Sequence, residues 1–197
     1  PYPHLLLHGP HGTGKTHVAR ALAELLNHKM SPEWPAAHTV IIELPRPESH
    51  EMQELSNRIS DERHGLAAII VDDLHLAAVN REAELLNLFN KAATRGVPLI
   101  LTSLLPPGEL FTDDLHLRSR MCSGLVFGLE PPEDPIRILI LDKVARDRNV
   151  RLPQEVARYL VSHKSRSLAD LSGILEKLDS RSLDMGKRIT LSLVRSL

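Results

Sequence analysis

Apolar residues come in short blocks separated by polar and glycine-rich stretches, and the blocks alternate in kind. "HLLLHG" (4–9) is a short apolar run stopped by glycine, the pattern of a strand buried on both faces. In "THVARALAELLNHK" (16–29), Val18, Leu22, Leu25 and Leu26 fall at helical spacing, so a strand, a loop and a helix follow in order. "HTVIIELP" (38–45) reads as a second buried strand, and "SHEMQELSNRISDER" (49–63) as a polar helix covering one face of the sheet. "GLAAIIVDD" (65–73) is a third strand that ends abruptly in two aspartates. "NREAELLNLFNKAATRG" (80–96) carries an apolar stripe of Leu85, Leu86, Leu88 and Phe89, with Gly96 placed as its C-cap. "VPLILTS" (97–103) gives a fourth strand and "LVFGLE" (125–130) a short fifth.

Strands alternating with helices, without two-residue hairpin turns, predict a parallel sheet covered on both faces over residues 1–130. "EPPEDP" (130–135) breaks that pattern, because its prolines fix the chain and stop regular pairing. Beyond it only helices are expected: "IRILILDKVARDRNV", "PQEVARYLVSHK", "SLADLSGILEKLDSRSL" and "TLSLVRSL". Residues 131–197 therefore read as a small all-helical lobe following an α/β base.

Composition narrows the class without choosing a function. The chain of 197 residues is 42% hydrophobic and carries 24 basic against 25 acidic side chains, so no overall charge draws it to nucleic acid or an anionic membrane. One cysteine, Cys122, excludes an internal disulfide framework and fits a reducing, cytoplasmic setting. No apolar run is long enough to span a bilayer. The start at Pro1, directly before a strand, is read as a truncated N-terminus with natural residues upstream.

"GPHGTGKT" matches the phosphate-loop pattern G-x-x-x-x-G-K-[ST] over Gly9, Pro10, His11, Gly12, Thr13, Gly14, Lys15 and Thr16. Glycines let successive backbone N–H groups turn toward phosphates, Lys15 adds a point charge, and the Thr16 hydroxyl can ligate Mg²⁺. Phosphate-loop chemistry also needs a carboxylate at the tip of a neighbouring strand; Asp72 suits the metal, and Asp73 an attacking water. The alternative is that both aspartates only cap the next turn. Thr102 and Ser103 end the fourth strand where a parallel sheet faces its ligand, within reach of a γ-phosphate or water, or else form a plain polar exit. In "LHLRSRM", Arg118 and Arg120 follow a short turn, either as a solvated face or as a source of charge for a neighbour's transition state. His4, His8, His11 and His17 crowd the loop without metal-ligand spacing, and Cys122 has no activating neighbour. Trp34, in the surface loop "SPEWPAAH", reads as a cap on the sheet edge or else as a contact anchor.

In this order, a phosphate loop, an Asp-Asp strand, a polar strand tip, an arginine segment and a helical lid resemble the AAA+ ATPase fold. "IIVDDLH", "LILTSLLPPGEL", "LRSRM", "LEPPEDPIRILILDKVARDRNVRLP" and "SLADLSGILEKLD" resemble its DnaA branch, over essentially the whole chain. Initiators of that branch carry a further DNA-binding domain after the lid. This chain stops at Leu197, and its closing stretch resembles the lids of the Hda family more than those of initiators. That resemblance implies a negative regulator of replication initiation that docks on the DNA-loaded sliding clamp through residues upstream of this chain. There it stimulates hydrolysis of DnaA-bound ATP.

It also implies roles by position. Arg120 corresponds to the arginine finger, acting in trans; Gly9 to Thr16 hold ADP or ATP; Thr16 and Asp72 hold Mg²⁺ through the nucleotide; Thr102 and Ser103 form the first sensor. Leu104 stands where the initiator has Asp, Ala169 where it has a lid arginine, and His116 where it has the first arginine of the finger segment. Whether Arg166, one turn before Ala169, takes over that role stays open. These departures imply weak or absent intrinsic hydrolysis, since each removes a group that reads the γ-phosphate or aids turnover. The fold also allows nucleotide-dependent self-association, while no sequence-specific DNA binding and no membrane contact are expected; the resemblance implies a nucleoid-associated bacterial setting. Two other readings are an autonomous AAA+ ATPase acting as a helicase loader and an initiator fragment.

Overall fold

A computed structural model describes residues 4–30, 38–44, 59, 65–77, 81–110, 114–165 and 167–196. The polar helix expected over 49–63, apart from Ile59, lies outside the described residues, as do Trp34 and Arg166. Two compact units form, one of Pro1–Pro10 with Gly14–Glu130, the other of His11–Thr13 with Pro131–Leu197.

The first unit is a sheet of five strands: β1 (His4–His8), β2 (His38–Glu43), β3 (Leu66–Asp72), β4 (Leu99–Ser103) and β5 (Leu125–Gly128). All neighbours run parallel in the order β2-β3-β4-β1-β5. β1 leaves toward the β2 side and β4 leaves toward β5, so the chain direction reverses between these two adjacent strands. Such a reversal opens a crevice at the carboxyl ends of the strands.

Alternate residues of the central strands face opposite layers. Leu6, Ile69, Val71, Leu99 and Leu101 pack on one side with Leu85, Leu88, Phe89 and Ala92 of α2 (Glu82–Arg95). Leu7, Ala68, Ile70 and Ile100 pack on the other with Ala19 and Ala23 of α1 (Lys15–Met30). The face of α1 that meets the sheet centres on these two small residues, i and i+4, which let the helix approach closely. Val18, Leu22 and Leu26 flank it, but Leu25, expected on the stripe, is 59% exposed. Gly96 ends α2 in the left-handed region, as its position predicted, and the Val97 N–H bonds back to Ala92 O.

The arginine segment, placed by the sequence only after a short turn, forms a helix: α3 (Leu115–Cys122). The Asp114 carboxylate caps it by accepting from His116 N at 2.7 Å and Leu117 N at 3.2 Å. Leu117 and Met121, one turn apart, anchor it in the core.

The second unit contains α4 (Asp134–Asp147), α5 (Gln154–His163), α6 (Leu168–Met185) and α7 (Leu191–Arg195), the four helices expected. Leu141, Leu160, Leu171, Leu175 and Leu178 form its core. Ser167 and Thr190 cap α6 and α7, and Gly186 ends α6 in the left-handed region. No helix among the described residues is long and apolar enough to cross a membrane.

Candidate functional site

The loop after β1 takes shape from three glycines with positive φ: Gly9 at +145°, Gly12 at +78° and Gly14 at +86°. Gly9 is obligatory for a second reason, since a Cβ there would lie 2.1 Å from Leu129 O. The Gly9 N–H donates to Ser103 O, and the Leu129 N–H to His8 O, fixing the loop's root to the ends of β4 and β5. α1 then starts directly, with Val18 N donating to Gly14 O. Backbone N–H groups at the start of such a helix, together with its dipole, favour an anion.

Lys15 is buried, with 7% of its surface exposed, and its ammonium donates to Gly9 O at 2.8 Å and Pro10 O at 2.9 Å. Burial pushes its pKa below the ordinary lysine value, an effect opposed by the negative charges of Asp73 and Asp72.

Strand register brings the remaining groups together. Leu7 and His8 pair with Thr102 and Ser103, and Val71 pairs with Leu101, which places Asp72 one step on beside Thr102. The Asp72 carboxylate is buried and accepts from the Thr16 hydroxyl at 3.0 Å and from the Thr102 hydroxyl, both at Oδ1. Thr102 Oγ1 in turn accepts the Asp73 N–H at 2.9 Å. A continuous chain of hydrogen bonds thus links the loop, the tip of β3 and the end of β4.

Asp73 adopts the left-handed region, φ 56°, and its side chain makes no capping bond to the 3₁₀ turn Leu74–Leu76. Its carboxylate is 41% exposed and lies 3.9 Å from His75 Nδ1. Ser103, fully buried, accepts the Leu105 N–H at its own Oγ at 3.1 Å. The Leu104 N–H donates to His75 Nδ1 at 3.4 Å, so His75 ties the tip of β3 to the exit of β4. His75 escaped sequence reasoning because a histidine inside "DDLHLA" carries no spacing signal.

Arg120 lies on the last turn of α3, exposed, and its guanidinium has no hydrogen bond or ion pair among the described residues. Arg118 and His116 are exposed on the same helix. Ala169 falls in the first turn of α6. Among the described residues no group of three or more His, Cys, Asp or Glu is arranged to hold a metal. His4 stands apart from the loop: it is buried at the opposite end of β1.

Residues 5–128 match the ATPase family associated with various cellular activities (AAA), and residues 134–197 match the lid domain of Hda. The chromosomal replication initiator protein DnaA of Ralstonia nicotianae is 32% identical over 200 residues, covering 98% of this chain and 38% of that protein. This chain therefore spans well under half the length of that relative. Among solved structures, domain III of the Thermotoga maritima replication initiation protein DnaA superposes with a TM-score of 0.79 at 23% identity, covering 98% of this chain and 82% of that one. AMPPCP-bound DnaA from Aquifex aeolicus gives 0.66 at 18% identity, over 91% of this chain and 56% of that one. The chain belongs to the AAA family of ATPases, on the branch that holds Hda and DnaA.

Proposed function

We propose that this protein is a negative regulator of DNA replication initiation. It binds an adenine nucleotide and, with the DNA-loaded sliding clamp, stimulates hydrolysis of DnaA-bound ATP through Arg120. The observation that carries the reading is an exposed guanidinium without a partner among the described residues, on a helix capped by Asp114 and anchored by Leu117 and Met121. An arginine carried on an anchored helix end keeps its donors for an outside phosphate. The match of residues 134–197 to the Hda lid supports the choice of regulator over initiator.

The phosphate loop and the strand tips beside it fit a nucleotide with Mg²⁺. Gly9 to Thr16 supply the backbone donors, and Lys15 a desolvated charge already aimed into the loop. Thr16 and Asp72 offer one hydroxyl and one carboxylate within 3.0 Å of each other, a sparse oxygen set of the kind Mg²⁺ accepts when phosphates and water complete its shell. Bound Mg²⁺ supplies positive charge to the outer phosphates. Thr102 holds the Asp72 carboxylate and the Asp73 N–H together, which fixes the metal-side oxygen. Leu104 and Ala169 stand where the initiator has groups that read the γ-phosphate, so nucleotide is held more than it is turned over, and ADP is the expected resident. DnaA and the clamp are the partners.

A second reading, hydrolysis in the chain's own pocket, draws on one observation: the Asp73 carboxylate is partly exposed and engages no cap. Phosphate release by the purified protein alone, by ATP-loaded DnaA alone and by the two with clamp on DNA separates the readings. Release in excess of the sum is expected; turnover by this protein alone, lost in Lys15→Ala, would replace the regulator by an autonomous ATPase.

A further inference from the structure

We infer that His4 is a positioning residue for the arginine-bearing helix: its buried Nε2–H holds Met121 O, fixes the last turn of α3, and so sets the aim of Arg120. The consequence for Arg120 rests on the function proposed above, whereas the anchoring itself stands on geometry alone.

A helix leaves its last carbonyls without intrahelical partners, and in a helix of eight residues these are half of the total. Here Arg120 O accepts from Ser123 N at 3.1 Å and Ser123 Oγ at 2.8 Å. Met121 O, the next carbonyl, is met by His4 Nε2 at 3.0 Å, across 117 residues of sequence. A carbonyl only accepts, so Nε2 carries the proton and Nδ1 is a bare lone pair. That Nδ1 is buried without a hydrogen-bond partner among the described residues. The ring stands edge-on to Phe89, with centroids 5.1 Å apart and planes at 88°.

Two features show that the ring's position is built rather than incidental. A Cβ on Gly124 would lie 2.3 Å from His4 Nε2, so the turn between α3 and β5 lets the ring through only because residue 124 has no side chain. His4 also opens β1, pairing with Leu99 of β4, and Leu5 beside it pairs with Leu125 of β5. The helix end is thereby tied to the central strand that leads into the phosphate loop. An apolar side chain would fill the same space without leaving a bare nitrogen in the core; what the imidazole adds is a directional bond to the residue after Arg120. Misplacing a reacting group by about 1 Å costs up to roughly 100-fold in rate, so the end of α3 is a sensitive place for such a bond.

The test compares His4→Leu, His4→Gln and Gly124→Ala with the unaltered full-length protein. Clamp on DNA and ATP-loaded DnaA are present for the kinetic arm. His4→Leu removes the donor, Gly124→Ala displaces it, and His4→Gln keeps an N–H at the same reach. Expected are a maximal stimulated rate lowered about 10- to 100-fold in the first two with the half-saturating concentration unchanged, and recovery of most of that rate in His4→Gln. Amide exchange at Ser123, whose N–H bonds to Arg120 O, should accelerate in the same two variants. Unchanged exchange in His4→Leu, or a His4→Gln protein that behaves like His4→Leu, overturns the inference. Nitrogen NMR of the unaltered protein decides the anchor without any substitution: an Nε2–H tautomer is expected, and an Nδ1–H tautomer refutes it. If the unaltered protein does not stimulate DnaA at all, the proposed function fails, while the exchange and tautomer results still decide the role of His4.

Discussion

Replacing Thr102 by valine keeps the shape of a fully buried side chain and deletes its hydroxyl. Two bonds go with it: the one donated to the Asp72 carboxylate and the one accepted from the Asp73 N–H at 2.9 Å. A hydrogen bond to a charged group contributes about 1.5–3 kcal/mol and a neutral one about 1 kcal/mol. The added methyl group returns at most about 0.8 kcal/mol. The net loss is about 2–3 kcal/mol, concentrated where β3 meets β4. With a urea m-value of about 2 kcal/mol/M, the unfolding midpoint drops by about 1 M. Following the amides of Ile70 and Ile100 by NMR through the titration reports on the sheet-bearing unit alone. Thr102→Ser keeps the hydroxyl and serves as the control, with a smaller drop. A valine variant within about 0.2 M of the parent, or a serine variant worse than the valine one, would refute the hydrogen-bonded chain from Thr16 through Asp72 to Asp73.

Other expectations follow from the same geometry. Gly9→Ala forces a Cβ to within 2.1 Å of Leu129 O at a φ of +145°, and should destabilise the protein by about 2–4 kcal/mol in the same urea assay. Lys15→Ala removes the loop's only ammonium; ADP affinity measured by calorimetry should fall about 30- to 100-fold, the worth of a charge-assisted bond to phosphate. Burial lowers the pKa of His4 from 6.5, with its bond to Met121 as an opposing influence. Between the lowered folded value and the ordinary unfolded one, the unfolded chain binds the extra proton. Stability from this group is therefore complete above pH 6.5 and declines as pH falls below it, by up to about 1.4 kcal/mol per pH unit. His4→Gln should flatten the part of the midpoint-versus-pH curve below 6.5 that belongs to His4, and a curve identical to the parent's would contradict this.

Much of the fold is written in hydrophobic blocks because each central strand is buried on both faces and each long helix on one. Strand order is not legible locally, but the succession of strand, glycine loop and Asp-Asp tip already implied that β1, β3 and β4 end near each other. The misses have physical reasons. α3 is eight residues long with only Leu117 and Met121 buried, too short for a helical period to rise above chance. Three of the four residues expected on the α1 stripe do pack at the sheet; its centre, Ala19 and Ala23, was not legible because alanines carry little hydrophobic signal, though small size is what that contact needs. The site was legible where a motif fixes several residues at once, as in the phosphate loop. It was illegible where a single side chain gains meaning from a distant partner. Thr102 meets Asp72 across thirty positions, and His4 meets Met121 across 117. Neither histidine that ties elements together, His4 or His75, has a local pattern that would single it out.

On the function proposed above, the hydrolysis that matters occurs on a partner and depends on Arg120. The most direct measurement is a single-turnover assay in which γ-labelled ATP is bound to DnaA beforehand, and this protein is added with clamp on DNA as parent or as Arg120→Ala. Because the side chain is exposed and unpaired among the described residues, the substitution should leave stability within about 0.5 kcal/mol and ADP binding unchanged. The accelerated release of labelled phosphate should disappear, a loss on the order of 10³-fold or more. Undiminished release with Arg120→Ala would contradict it.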